Sequence, residues 1–347
     1  MDAIISAAST IVSFGITALL GVFVIPWLHN LKFGQTILDI GPNWHKSKQG
    51  TPTMGGIMFI VGVVFAFVTS LIIALTTKNS NFYDELVSTI SQDRIKVTRV
   101  IAGLVMALSF GLIGFLDDYI KVVKKRNLGL TARQKTLLQF LVAAAFLTSL
   151  ALSGDLTTKI PFIGEIDVSS GIGLIYWPIA LLFIYGFVNS VNLTDGIDGL
   201  CSSVTMIVSV FFMILSGTLL QSGLNVLAGT VAGGCCGFLF WNLKPAKVFM
   251  GDTGSLFLGG AVVAMAFASG YPIILLLAGI LYLLEALSVI IQVAYYKKTK
   301  KRVFKMTPIH HHFEMCNWSE NKIVLVFSAV TLVGCGISYL LIRLSIM

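Results

Sequence analysis

Ten apolar runs, each about as long as a bilayer is thick, constrain this chain more than any other feature. A helix needs about 20 mostly apolar residues to cross ~30 Å of hydrocarbon. Such runs occupy 5–28, 55–77, 97–116, 134–153, 173–190, 200–217, 224–241, 254–270, 271–294 and 322–345. No water reaches the backbone there, so each run must close its hydrogen bonds as a helix or in a sealed barrel. Most runs are apolar on all faces and show no strict alternation, which selects helices. The expected fold is an all-α polytopic membrane protein with ten transmembrane helices, formed by residues 1–347 as one integral-membrane domain. Composition agrees, because only 12% of the residues are charged, about half the share in a soluble domain. Gly270-Tyr271-Pro272 supplies the turn between the eighth and ninth runs. The first run has no basic segment before it and no cleavage pattern after it, so it is expected to be a retained span.

Orientation follows from charge. The formal charge is +8, and 18 of the 24 Lys and Arg residues fall in the loops after odd-numbered runs. Basic loops stay in the cytoplasm. Those loops are therefore expected inside and both termini outside, and the charge is explained without a nucleic acid. On the outer side, Asn79–Lys96 is polar enough for a short surface helix. Gly154–Gly171 alternates between turn residues and predicts a β-hairpin. The five cysteines (Cys201, Cys235, Cys236, Cys316 and Cys335) form no paired framework, and most sit in apolar runs as small core groups.

Every polar motif falls on the cytoplasmic side of this topology, in five places. Lys46–Gly56 holds Lys48, then Thr51-Pro52-Thr53 at an expected helix start, with Gly55 and Gly56 behind. Free N–H groups at a helix start suit phosphate, and ordinary capping is the competing role. Asp117 and Asp118 close the third run, with Lys121 one turn on and Lys124, Lys125 and Arg126 following. Asn192, Asp195 and Asp198 recur at intervals of three, one face of a helix, with Gly196 and Gly199 directly after the two acids and no cation adjacent. Unpaired carboxylates at a membrane edge imply an outside partner, either a divalent cation or a donor-rich ligand. Asp252 stands between Gly251 and Gly254 just ahead of the eighth run, after Asn242 and the loop aromatic Phe249. His310, His311 and His312 are consecutive after Pro308, which suggests a helix start. Side chains about 100° apart cannot all ligate one ion. Carboxylates with phosphate-sized basic groups at one membrane face suit Mg²⁺ or Mn²⁺ chemistry. The chemistry expected is phosphoryl transfer with a lipid as one reactant.

These motifs resemble those of the phospho-N-acetylmuramoyl-pentapeptide-transferases, within the polyprenyl-phosphate N-acetylhexosamine-1-phosphate transferases. The stretches that carry the resemblance are GTPTMGG (50–56), FLDDYIKVVKKRNLGL (115–130), NSVNLTDGIDGL (189–200), VFMGDTGSLFLGG (248–260) and PIHHHFE (308–314). The resemblance covers essentially the whole chain. It implies transfer of phospho-MurNAc-pentapeptide from UDP-MurNAc-pentapeptide to undecaprenyl phosphate, giving lipid I and UMP. It also implies Mg²⁺ as cofactor, a homodimer, and a place in the bacterial cytoplasmic membrane with the site facing the cytoplasm. By motif, Asp117 matches the acid that activates the lipid phosphate, Asp118 its partner, and Asp252 the Mg²⁺ carboxylate. His310 and His311 match essential histidines near the sugar nucleotide, and His312 completes their motif. Asn192, Asp195, Gly196, Asp198, Asn242 and Phe249 fall where the family binds the nucleoside. Lys48, Thr53, Lys121 and Gln292 fall near positions linked to uracil or phosphates.

Three rivals stand beside this. A related polyprenyl-phosphate UDP-GlcNAc-1-phosphate transferase shares most motifs, but PIHHHFE favours the muramoyl-pentapeptide enzymes. An ion-coupled transporter would place charges near the midplane and on both sides. Here only Glu285 lies deep in a run. A purely structural scaffold leaves Asp195 and Asp198 unexplained.

Overall fold

The computed structural model describes residues 2–30, 50–123 and 128–347. Lys48 and the basic cluster Lys124, Lys125 and Arg126 lie outside the described residues. The elements in order are α1 (Asp2–Asn30), α2 (Gly56–Thr77), α3 (Asn81–Val87), α4 (Ser91–Val123), α5 (Ala132–Leu152), β1 (Thr157–Ile160), β2 (Gly164–Asp167), α6 (Tyr176–Thr194), α7 (Leu200–Leu219), α8 (Ser222–Asn242), α9 (Gly251–Ser269), α10 (Leu275–Ala278), α11 (Ile280–Thr299), α12 (Ile309–Glu314) and α13 (Glu320–Ile346). Among the described residues ten helices are long and apolar enough to cross a membrane: α1, α2, α4 to α9, α11 and α13.

The core is built around α9, in which every residue from Thr253 to Ser269 is buried. A helix apolar all round belongs inside a bundle. Small residues let α4 lie close against it. A Cβ on Gly103 would sit 2.7 Å from Ala264 Cβ, and one on Gly260 would sit 2.7 Å from Ala107 Cα. The same device joins α8 to α1. Gly229, Gly233 and Gly237 recur every four residues, and added Cβ atoms there would run into Thr10 and Phe14 of α1. Without a hydrophobic drive between helices in lipid, such close backbone approach supplies the packing.

The expected hairpin is present. β1 and β2 pair antiparallel, with Thr157 opposite Asp167 and Ile160 opposite Gly164. It docks at the end of α9 away from Asp252, where Lys159 N–H donates to Gly270 O at 3.1 Å. At that end the Arg99 guanidinium forms a two-pronged pair with Asp155, both bonds 2.6 Å. The polar segment 79–96 divides: 81–87 is the short helix α3, and 91–96 opens α4.

Four expectations are corrected. The third span does not end at Asp117-Asp118, because α4 runs on to Val123 and carries both acids on its last turns. Thr51-Pro52-Thr53 do not start a helix. They run extended, with Pro52 O accepting from Phe249 N–H at 2.9 Å, and α2 starts at Gly56. Asp195 and Asp198 do not share a helix face, since α6 ends at Thr194 and Asp195 is its C-cap. The ninth span starts at Ile280, after a 3₁₀ turn (Pro272–Ile274) and the single turn of α10.

Candidate active site

Three helix ends meet at one end of the bundle. The last turns of α4 bring Asp117, Asp118 and Lys121. The first turn of α9 brings Asp252 and Thr253. The last turn of α6 brings Asn192, with Asp195 just beyond. α4 continues past its acids because Lys121 answers them. Its Nζ lies 2.6 Å from Asp117 Oδ2, four residues back. The same ammonium is 2.8 Å from Asp252 Oδ2 and 3.8 Å from Asp118 Oδ1. One cation thus stands among three carboxylates whose oxygens lie within 4.8 Å of one another.

Each acid is held differently. Asp117 Oδ1 accepts the Leu130 N–H at 2.7 Å, which draws the chain before α5 down onto α4. Asp118 Oδ2 accepts both the N–H and the hydroxyl of Thr253, at 2.9 and 2.8 Å, and so ties α4 to α9. Asp252 Oδ1 accepts the Asn192 side-chain amide at 2.8 Å, which ties α9 to α6. Its Oδ2 meets a second ammonium, Lys135 Nζ, at 3.0 Å. Lys135 is on the first turn of α5, fixed by a capping box between Thr131 and Gln134. In the sequence Lys135 lies at the start of the fourth run, where the inside bias of basic residues alone accounts for its charge. Its place one turn into the helix after the acid pair was the available signal.

Gly251 is where the strands of this arrangement cross. Its φ is +70°, and a Cβ there would lie 2.6 Å from Asp118 Oδ2 and 2.8 Å from Thr53 Oγ1. Thr53 therefore stands beside the acids. The half-buried Phe249 packs in the same strand-like pairing, with Gly55 N–H donating to its carbonyl at 2.8 Å.

Asp195 is half-buried near these acids. Loss of water around its carboxyl, then the negative charges of Asp252, Asp118 and Asp198, push its pKa well above the ordinary carboxylate range. Asp198 turns elsewhere. It accepts the Ala246 N–H at 3.0 Å, and its own N–H donates to Glu320 Oε2 at 3.3 Å, beside the Lys244–Glu320 pair. Asn242 is spent on backbone, accepting from Gly199 N–H and donating to Val248 O. Gln292 likewise braces the backbone at Val303 and Phe304.

The three histidines lie on α12, with Pro308 as its N-cap, and point three ways as consecutive helical residues must. His310 goes inward to Glu285 (3.0 Å), His311 pairs with Glu314 (2.6 Å), and His312 Nδ1 accepts the Lys305 N–H (3.2 Å). His310 abuts Gly196, which brings α12 against the turn after α6.

Asp117, Asp118 and Asp252 offer hard oxygen donors at a spacing that suits Mg²⁺. The Lys121 ammonium among them marks the spot as one where a positive charge is stabilised.

A family model for glycosyl transferase family 4 matches residues 100–270. A phospho-N-acetylmuramoyl-pentapeptide-transferase signature matches residues 48–60. The chain is 45% identical to the phospho-N-acetylmuramoyl-pentapeptide-transferase of Clostridioides difficile, with 95% of each chain covered. It is 45% identical to that of Acetivibrio thermocellus, covering 96% of this chain and 94% of the relative. For the Carboxydothermus hydrogenoformans relative the identity is 46%, over 94% and 98%. The chain belongs to the phospho-N-acetylmuramoyl-pentapeptide-transferase family. The two family matches divide the site between them. The family signature covers Thr53 and the pairing with Phe249, while the glycosyl transferase match spans the carboxylates, Lys121, Lys135 and Asn192. The histidines of this chain lie beyond both.

Proposed function

We propose that the chain transfers phospho-MurNAc-pentapeptide from UDP-MurNAc-pentapeptide to undecaprenyl phosphate, releasing UMP and leaving lipid I. The observation that carries this is the cation-centred group of Asp117, Asp118 and Asp252 at the meeting of three helix ends. Such a group can receive a pyrophosphate and its counter-ion. The charge bias of the loops supports a cytoplasmic face for the site and outer termini. The homodimer belongs to this proposal through the resemblance alone, and the single-domain organisation through a sequence without fixed-period repeats or low-complexity tracts.

Mg²⁺ held by Asp252 with Asp117 and Asp118 would neutralise charge on the phosphoryl oxygens. The chain's own groups do the rest. Asp118, with one oxygen accepting two hydrogen bonds from Thr253, holds α4 and α9 in register. Asp117 keeps Oδ2 directed at the centre. It either takes the proton of the lipid phosphate or attacks the donor phosphorus first. A trapped phosphoryl-Asp117 separates the second route from the first. Lys121 and Lys135 are placed to meet the pyrophosphate charge. Asn192, Asp195 and Gly196 flank the nucleoside side, with Thr53 and Lys121 toward the phosphates. His310 and His311 are catalytic by motif, and the remaining residues assigned to substrate are Lys48, Asp198, Asn242, Phe249, Gln292 and His312. Of these, Asn242 and Gln292 act by shaping loops.

UMP release is the test. Wild type should release UMP from UDP-MurNAc-pentapeptide and undecaprenyl phosphate only with Mg²⁺, and Asp252→Ala should lose about 10²-fold or more. Equal rates for the two proteins remove the metal assignment. Preference for UDP-GlcNAc as donor would move the chain to the related UDP-GlcNAc-1-phosphate transferases. A transporter is disfavoured because the site acids collect at one end of the bundle.

A further inference from the structure

Glu285 is wholly buried on the second turn of α11, inside an apolar span. A carboxyl in that position is costly and needs a specific partner. Its partner is His310, itself wholly buried. Glu285 Oε2 lies 3.0 Å from His310 Nδ1 and 3.4 Å from the His310 backbone nitrogen. A backbone N–H only donates, so Oε2 faces it as an acceptor. The same oxygen then accepts from Nδ1, which places a ring proton on Nδ1. Nε2 points the opposite way, at the turn that follows α6. A Cβ on Gly196 would overlap Nε2 and lie 2.6 Å from Cε1. Nε2 is buried and bonds to no group among the described residues. A buried polar atom in that state is destabilising, so its persistence calls for a functional reason.

We propose that Glu285 is a positioning residue for the transfer reaction: it holds His310 with Nδ1 protonated and Nε2 aimed past Gly196 at the oxygen-rich donor nucleotide. This rests on the transferase function proposed above. A carboxylate behind an imidazole fixes which ring nitrogen carries the proton and leaves the other for the substrate. Glu285 acts only through the ring. Gly196 belongs to the device because any side chain there would close the gap that the ring points into.

The test is a double-mutant cycle on the full chain in detergent, with UDP-MurNAc-pentapeptide and undecaprenyl phosphate as substrates. Glu285→Gln keeps the shape of the side chain but lets the ring reverse its protonation. It should melt within a few degrees of wild type, keep its KM for undecaprenyl phosphate, and lose at least about tenfold in kcat, since a wrong tautomer costs up to ~10⁴-fold. The double variant with His310→Gln should be no slower than His310→Gln alone, because no ring remains to be positioned. Turnover of Glu285→Gln within about twofold of wild type overturns the proposal, as do losses that multiply in the double variant. If Glu285→Gln does not purify as folded protein, Glu285→Met goes through the same cycle under the same criteria, since an apolar side chain suits this interior. Wild type that releases no UMP removes the transferase function and this proposal together. Equal turnover in wild type and Glu285→Gln removes this proposal alone.

Discussion

Gly114→Ala is expected to disable the site without touching any of its side chains. Gly114 lies on α4 one turn before Asp117 and faces the start of α9. A Cβ there would be 2.7 Å from the Thr253 amide nitrogen and closer still to the Asp252 carbonyl. Ordinary contact begins near 3.4 Å, so the helix ends must part by at least about 0.7 Å (3.4 less 2.7), in practice about 1 Å. The obstructing atoms are main chain on both sides and cannot rotate away. The Asp118–Thr253 bonds of 2.9 and 2.8 Å and the Lys121–Asp252 contact of 2.8 Å would then stretch beyond hydrogen-bonding reach. A misplacement of about 1 Å costs on the order of 10²-fold in rate, which is about 2.7 kcal/mol of barrier. Overpacking adds about 1–3 kcal/mol of destabilisation. The assay is UMP release at saturating substrates, beside a melting curve. Gly186→Ala on α6 is the control, because a Cβ there meets nothing within 4 Å. Gly114→Ala turning over within about threefold of the control would refute the view that α4–α9 spacing sets the carboxylate geometry.

Lys121→Met removes the ammonium among the carboxylates, so it should melt lower than wild type in chelator and gain more from added Mg²⁺. An equal gain in both proteins would mean that ion and ammonium do not share the space. Asp195→Asn addresses a carboxyl whose folded pKa is raised. The native state then favours the proton, and the contribution of Asp195 to stability is lost as pH rises through that raised pKa. The Asn variant should outmelt wild type at alkaline pH, with the gap closing toward acid pH; a gap independent of pH would sink this account. Arg99→Met leaves Asp155 buried without its two bonds of 2.6 Å. Chemical unfolding should show a loss of about 3–5 kcal/mol, with kcat at low temperature within about threefold of wild type.

Much of this was legible in the sequence because bilayer thickness imposes a length rule. The ten spans, the hairpin and the grouping of acids at one end all follow from runs, turns and charge. What escaped notice was pairing at long range. Asp117-Asp118 reads as the end of a span because acids do not belong in hydrocarbon, yet Lys121, Lys135 and Thr253 neutralise or bond them and let α4 continue. Spacing suggested a shared face for Asp195 and Asp198, but the backbone turns after Thr194 and sends Asp198 to Ala246. Glu285 stood out as an intramembrane acid, but its partner is 25 residues away in sequence. Periodicity carries no information about such a pair.

α4 also has a mechanical character. It is one unbroken helix of 33 residues, about 50 Å of rod, clamped at one end by Arg99–Asp155 and carrying Asp117 near the other. Those two points are 18 residues apart, or about 27 Å. A tilt of about two degrees about the clamp swings Asp117 through about 1 Å, the displacement that costs two orders of magnitude in rate. Helices tilt when bilayer thickness departs from their apolar length. A rod held this way would act as a lever, with the acyl length of the surrounding lipid as one of its inputs.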